Sequence, residues 1–289
     1  MDLTEKVREL SKYLDDEAIA QALKLTPEAV RDILEGRAEI AQVERSDYSG
    51  PVIHVSSVKT AYRQKVISVC RAKGGVGCTV IALGLAYSLS KEIKTLLVDL
   101  NLSEGGSDLS YYLNLPEYPH LGALTDNLES CVISVEPNFY VLQAPKRASA
   151  EEQEVGQIIT LARQDFDAIV IDLPNSQGEI VKEAVQQSNT IVAVTSGMAS
   201  ELLRLAAILG TCFRKDVIVA ANRCDLPAEA REAFAGKKII RIEHDGSLAR
   251  VFEKCDLPGE KSVFMKGIGR IKDAVFDREK KGVLKTIFG

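Results

Sequence analysis

Short apolar runs separated by longer amphipathic stretches recur between about residues 66 and 262. The runs 66–70, 95–100, 139–142, 168–172, 190–194 and 217–221, and a shorter one at 239–240, are rich in Val, Ile and Leu. Runs this short and apolar at nearly every position read as strands covered on both faces, as parallel sheets require. Segments 80–89, 151–163, 178–187, 200–209 and 247–254 fit helices between them. Strand alternating with helix predicts an α/β domain with a mainly parallel, doubly wound sheet.

The two ends follow another rhythm. Residues 1–40 are helical by pattern, with Ile19, Ala20 and Leu23 on one apolar face. Thr26 is placed to cap a second helix, Pro27 takes its first position, and Val30, Ile33 and Leu34 face inward. Gly36 marks the stop. Two helices so closely joined resemble a helix-turn-helix module. Residues 41–65, with the turn-rich Ser46-Asp47-Tyr48-Ser49-Gly50-Pro51, read as a linker. The α/β domain then spans 66–262, and 263–289 forms a helical tail in which Ile268, Ile271, Val275 and Phe276 are spaced to pack on the domain.

Charge narrows the partners. The net charge of −5 does not suggest a chain coated in nucleic acid. The second N-terminal helix carries Glu28, Arg31, Asp32 and Glu35, so DNA is the less favoured partner of that module. No apolar run approaches the roughly 18 residues of a membrane span. The 6 cysteines form no C-x-x-C pair and read as reduced thiols of a cytoplasmic protein.

The candidate chemistry gathers where strands end. After the first comes Cys70-Arg71-Ala72-Lys73-Gly74-Gly75-Val76-Gly77-Cys78-Thr79, a glycine-rich turn leading into a helix at Val80. Gly74, Gly75 and Gly77 let successive backbone N–H groups converge on an anion, beside the positive end of the helix. Thr79 stands where a hydroxyl would meet Mg²⁺. Asp99, at the end of the second strand, is followed two residues later by Asn101. Asp172 ends the fourth strand ahead of Pro174 and Gly178, and Asn222-Arg223-Cys224-Asp225 follows the sixth. In open parallel sheets ligands bind along this edge.

The loop at Lys73 resembles the deviant Walker A motif, K-G-G-x-G-K-[ST], of the MinD/ParA family of P-loop ATPases. Asp172-Leu173-Pro174 with Gly178 is similar to that family's D-x-P-x-x-x-G segment. The resemblance covers about 66–262 and the tail. It implies binding of ATP/ADP and Mg²⁺, with residues 73–80 on the phosphates and Asn222 with Arg223 on the base. It further implies Thr79, Asp99 and Asp172 around the metal, and Lys73 reaching across a homodimer to the partner's phosphates. The chain departs from the family twice. Cys78 replaces the common P-loop lysine, and Asn101 replaces the aspartate that positions the attacking water. An amide can orient water but cannot accept its proton, so the departures imply a slow or inactive ATPase. Asn222 to Asp225 also echo the guanine motif N-K-x-D, though the resemblance as a whole favours adenine.

The tail resembles the membrane-targeting end of MinD proteins. Val283, Leu284, Ile287 and Phe288 share one helix face, bordered by Lys280, Lys281 and Lys285. Residues 280–288 thus predict a membrane surface as a partner and a location at the inner face of the membrane. The resemblance implies a dimerising regulator of septum, pilus or flagellum position. The alternatives are a DNA partition protein using residues 1–40, and a nucleotide-free scaffold. The protein partner is not legible.

Overall fold

A computed structural model describes residues 3–23, 25–34, 64–102, 108–124, 127–145, 152–175, 178–210 and 215–288. The linker residues 41–63 and the loop residues 103–107, 176 and 177 lie outside the described residues. The chain divides into two compact units, Met1–Tyr62 and Arg63–Gly289.

Among its described residues the first unit holds three short helices, α1 (Leu3–Leu10), α2 (Asp16–Leu23) and α3 (Pro27–Leu34). Val7, Ile19, Ala20, Leu25, Val30 and Ile33 form its core. Helices of 8 residues are marginal alone in water, so this shared core and the caps hold them. Asp15 Oδ1 accepts the Ala18 N–H at 2.8 Å to start α2, and Thr26 Oγ1 accepts that of Ala29 at 3.2 Å to start α3. Arg31, the cation of α3, is paired with Asp16 of α2 at 3.1 Å.

The second unit is built on an 8-stranded sheet in the order β3-β4-β2-β5-β1-β6-β7-β8. Its strands are β1 (Lys65–Arg71), β2 (Thr95–Asp99), β3 (Ile133–Glu136), β4 (Phe139–Leu142), β5 (Ala168–Asp172), β6 (Thr190–Thr195), β7 (Asp216–Asn222) and β8 (Lys238–Ile242). Among the described residues only the β3–β4 pairing is antiparallel. The sheet is the mainly parallel, doubly wound one that the apolar runs predict. Strands β2, β5 and β6 are buried at every position because helices cover both faces. Of the buried polar side chains in the sheet, Ser68 in β1 is paired, its Oγ 2.7 Å from Ser188 Oγ. The edge strand β3 and the short helices α5 (Asp108–Tyr112) and α9 (Ala228–Ala233) leave no clear trace in the apolar pattern.

Helices α4 (Cys78–Ser90) and α11 (Val263–Phe288) pack together, α4 against β1, β2 and β5 and α11 against β7 and β8. Against β5, β1 and β6 lie α6 (Glu152–Asp165), α7 (Glu179–Gln187) and α8 (Ala199–Gly210), respectively. A last short helix, α10 (Leu248–Glu253), precedes α11. In α11, Ile268, Ile271, Val275 and Phe276 are all buried. Side chains from residue 277 onward, including the expected membrane-binding face, lie outside the described residues. Among the described residues no helix is long and apolar enough to cross a membrane.

Contact between α4 and α11 depends on a missing side chain. A Cβ on Gly84 would stand 2.7 Å from Phe264 Cε1 and 3.1 Å from Ile268 Cγ1. Both neighbours are packed side chains with little room to yield, so overpacking outweighs any gain in helix propensity. Gly84→Ala is expected to destabilise the second unit by about 1–3 kcal/mol, read as a lower urea midpoint with an unchanged slope.

Candidate functional site

The carboxyl ends of β1, β2, β5 and β7 bring most of the expected residues to one edge. Between β1 and α4 the chain turns through residues 72–77, with Gly75 at φ 76° and Gly77 at φ 88°. Both angles lie in the left-handed region that glycine adopts without steric cost. Gly77 caps α4 with no side-chain hydrogen bond to the first helical N–H groups. Lys73, Gly74 and Gly75 are exposed, whereas Val76 is buried and anchors the turn.

Two carboxylates meet behind the loop. Asp99 of β2 and Asp172 of β5 are register partners, and both are fully buried. Asp99 Oδ1 accepts the Asn101 N–H at 2.9 Å, closing a turn at the strand end. Thr79, in the first turn of α4, donates its hydroxyl to Asp172 Oδ2 at 2.6 Å. Asp172 Oδ1 has no hydrogen-bond partner. Burial is the main reason that the Asp172 carboxyl is pushed up to about 6, against the lowering pull of Thr79 and then of Arg71.

Cys78 opens α4 directly after the turn. Its thiol is buried and donates to the Val69 carbonyl of β1 at 3.3 Å. Burial first, and the nearby Asp172 charge second, raise its pKa well above the ordinary thiol value. It is therefore a neutral core group at physiological pH, with neither the charge of a lysine nor the reactivity of a thiolate. Lys73 lies along its own chain, its Nζ 3.1 Å from Met198 Sδ in the loop after β6. That loop is fixed by the buried Glu201, whose Oε2 accepts the Ser196 hydroxyl at 2.7 Å.

Asn222 sits at the end of β7, but its amide Nδ2 donates to the Val76 carbonyl at 2.7 Å. It fastens the glycine turn to a strand on the far side of β6. A Cβ on Gly77 would stand 2.5 Å from that Nδ2, so glycine is needed for the approach as well as for the angle. Arg223 follows in a left-handed conformation at φ 57°, its side chain exposed. Val80 completes the first turn of α4.

The arrangement fits a phosphate chain with a divalent cation. The turn and the uncapped helix start offer backbone donors, while Thr79 Oγ1 and Asp172 Oδ1 offer oxygen to a metal. Among the described residues no group of three or more His, Cys, Asp or Glu side chains could hold a metal ion. Phosphate oxygens and water would have to complete the shell of a Mg²⁺ here, as is usual for that ion.

One largely buried cation at this edge, Arg71, belongs to no motif in the sequence. Its side chain is 10% exposed, and its Nη1 lies 3.9 Å from Asp172 Oδ1. Its sole signal in the chain is a charged residue ending an apolar strand just before the glycines.

Comparisons with known proteins agree with this fold. A family model described as an AAA domain matches residues 64–202. An uncharacterized protein of Methanocaldococcus jannaschii is 30% identical over 151 residues, 44% of this chain and 57% of that protein. The chain thus spans little more than half the length of this relative. Among solved structures, the cell division ATPase MinD of Pyrococcus furiosus is similar with a TM-score of 0.65 and 21% identity, over 74% of this chain and 98% of that one. The septum site-determining protein MinD of Pyrococcus horikoshii, complexed with Mg-ADP, follows at 0.63 and 19%, over 77% and 98%. A ParA family ATPase of Chlorobium tepidum gives 0.62 and 23%, over 74% and 99%.

Proposed function

We propose, from the premise that this chain is a P-loop protein of the MinD/ParA fold, that it is a nucleotide-binding regulator which binds ATP or ADP with Mg²⁺ and turns it over slowly or not at all. The observation that carries the reading is the junction of the left-handed glycine turn, the start of α4 and the Thr79–Asp172 pair on one sheet edge. Backbone N–H groups of the turn hold the phosphates, Thr79 and Asp172 hold the metal shell, and Asp99 fixes the strand end beside them. When bound, Mg²⁺ supplies positive charge to the phosphate oxygens. The P. horikoshii neighbour carrying Mg-ADP supports this assignment.

Two features argue for weak turnover. The lysine lost at Cys78 corresponds to a charge-assisted hydrogen bond of about 1.5–3 kcal/mol, roughly ten- to a hundredfold in affinity. Asn101 cannot take a proton from water at neutral pH. Binding at millimolar nucleotide survives these losses, whereas charge stabilisation of the transferring phosphoryl suffers more. Lys73, free to leave Met198 for a weak N–H···S bond's cost, reaches the phosphates of a second copy in a dimer, and residues 280–288 bring that dimer to an anionic bilayer. The process served is the positioning of a septum, pilus or flagellum. DNA contact through residues 1–40 is less favoured, since the Arg31 guanidinium is already paired with Asp16.

Calorimetric titration with ATP in excess Mg²⁺ tests the reading. Saturable heat with a Kd in the micromolar to sub-millimolar range is expected, with phosphate release far below one turnover per minute. Absence of both heat and thermal stabilisation would leave a nucleotide-free scaffold. In parallel, co-sedimentation with anionic liposomes in the presence of ATP is expected to fall to background when residues 280–289 are deleted. Equal pelleting of the two chains would refute the tail's role.

A further inference from the structure

The phosphate loop has lost its lysine but not its cation. Arg71 is the last residue of β1, immediately ahead of the turn. Strand alternation puts it on the same face as Val69, whose register partner is Asp172. Val66 and Cys70 lie in the opposite core, with residues of α6, α7 and α8. Arg71 therefore lies on the α4 side of the sheet, beside the helix start rather than beneath the far layer.

Two neighbouring atoms there lack partners. Arg71 Nε is buried without an acceptor, and Asp172 Oδ1 is buried without a donor. The 3.9 Å between Nη1 and Oδ1 is beyond hydrogen-bond length, so the pair attracts by charge but does not satisfy either group. A guanidinium has five donors in a planar fork that matches carboxylate and phosphate oxygens. Asp172 is meanwhile occupied at its other oxygen by Thr79, which ties this spot to the first turn of α4. An anion seated in the turn would give the Arg71 fork the acceptors it lacks.

We propose that Arg71 is the phosphate-binding cation of this site, a β1 residue supplying the charge that Cys78 no longer carries. The inference rests on the nucleotide reading above and names the residue by which it works. A guanidinium held from the strand differs from a lysine on the helix: it binds oxygens in pairs and approaches from below the loop. Arg71 as a mere counter-ion to Asp172 is the competing role, and it makes a different forecast.

Full-length wild type, Arg71→Gln, Arg71→Lys and the double variant Arg71→Gln/Cys78→Lys are titrated calorimetrically with ADP and with inorganic pyrophosphate in Mg²⁺. Arg71→Gln is expected to weaken both ligands ten- to a hundredfold. Arg71→Lys should lose less, and the double variant should recover most of the loss by restoring a cation from the helix. Affinity of Arg71→Gln within threefold of wild type would overturn the proposal while leaving the nucleotide reading standing. So would a loss that Cys78→Lys does not repair in a double variant melting at the wild-type temperature, since that is the behaviour of a structural counter-ion. If wild type itself binds neither ligand, the parent reading fails first. Should Arg71→Gln not fold, the wild-type Arg71 Nε–H resonance decides: a shift and slowed exchange on adding pyrophosphate supports the contact, and an unmoved signal at saturation refutes it.

Discussion

Replacing Asp172 by asparagine is expected to make the ligand-free protein more stable at pH 8, by about 2–3 kcal/mol. The carboxyl is pushed up to about 6 from an ordinary value of 3.8, mainly because burial penalises its charged form. The folded state therefore prefers the proton that the unfolded state gives up near 3.8. This contribution to stability is complete below pH 3.8 and disappears as the pH climbs through about 6. At pH 8 wild type carries a buried charge that Arg71, too far for a hydrogen bond, offsets only in part. Asparagine removes the charge at nearly constant volume. Urea unfolding at pH 4, 6 and 8 should show wild type and Asp172→Asn alike at the lowest pH, with the variant ahead by a growing margin above it. For a unit of this size the gain corresponds to roughly 4–10 °C in Tm at pH 8. The same change should weaken binding of Mg²⁺-nucleotide about tenfold, because an amide holds metal-bound water less firmly than a carboxylate does. A variant less stable than wild type at pH 8 would mean that the carboxylate is already satisfied in the folded chain. Stability given up in the empty site and recovered on binding is the behaviour of a ligand site rather than of a structural ion pair.

Asn222→Ala is expected to lower affinity for inorganic pyrophosphate as much as for ADP, by about tenfold. The forecast follows from the 2.7 Å bond between Asn222 Nδ2 and the Val76 carbonyl, which holds the turn in its phosphate-ready shape. Losing this part-buried hydrogen bond costs about 0.5–1.5 kcal/mol, most of it felt in the loop. A residue whose role was confined to the base would show the opposite split, with ADP weakened and pyrophosphate unchanged. Gly77→Ala should be harsher still. It forces a side chain into φ 88° and drives its Cβ to within 2.5 Å of the same amide, so both strain and collision fall on one position. Phosphate binding by Gly77→Ala should drop at least a hundredfold while the far-UV spectrum stays that of the wild type. Retained affinity would show that the turn adapts, and the latch would then have no consequence for binding.

Much of the sheet was legible because buried parallel strands leave a strong trace. Runs such as 168–172 are apolar on both faces, and the observed β5 begins and ends where the run does. The strand β3 left no such trace: Ile133–Glu136 is only partly buried and pairs along one edge. Helices α5 and α9, of 5 and 6 residues, are too short for a periodicity to appear. At the site, the glycine turn, Thr79, Asp99 and Asp172 could be located by motif and by their places after strands. Their mutual contacts could not. Cys78 reads in the chain as a vacancy where a lysine should be, and the fold shows it as a buried thiol bonded to Val69 O. Asn222 reads as a base contact, and in the fold one of its amide donors also holds the loop.

By itself the sequence determined the α/β class, the place of the phosphate turn and the carboxylates at two strand ends, since each of these is a local pattern of apolar periodicity, glycine and charge. Only the tertiary structure decided which groups meet across elements: Arg71 with Asp172, Asn222 with Val76, and Gly84 with Phe264. The physical reason is distance along the chain. Period and propensity act over a few residues, whereas Asn222 and Val76 are 146 residues apart and become neighbours only when sheet order and register are set.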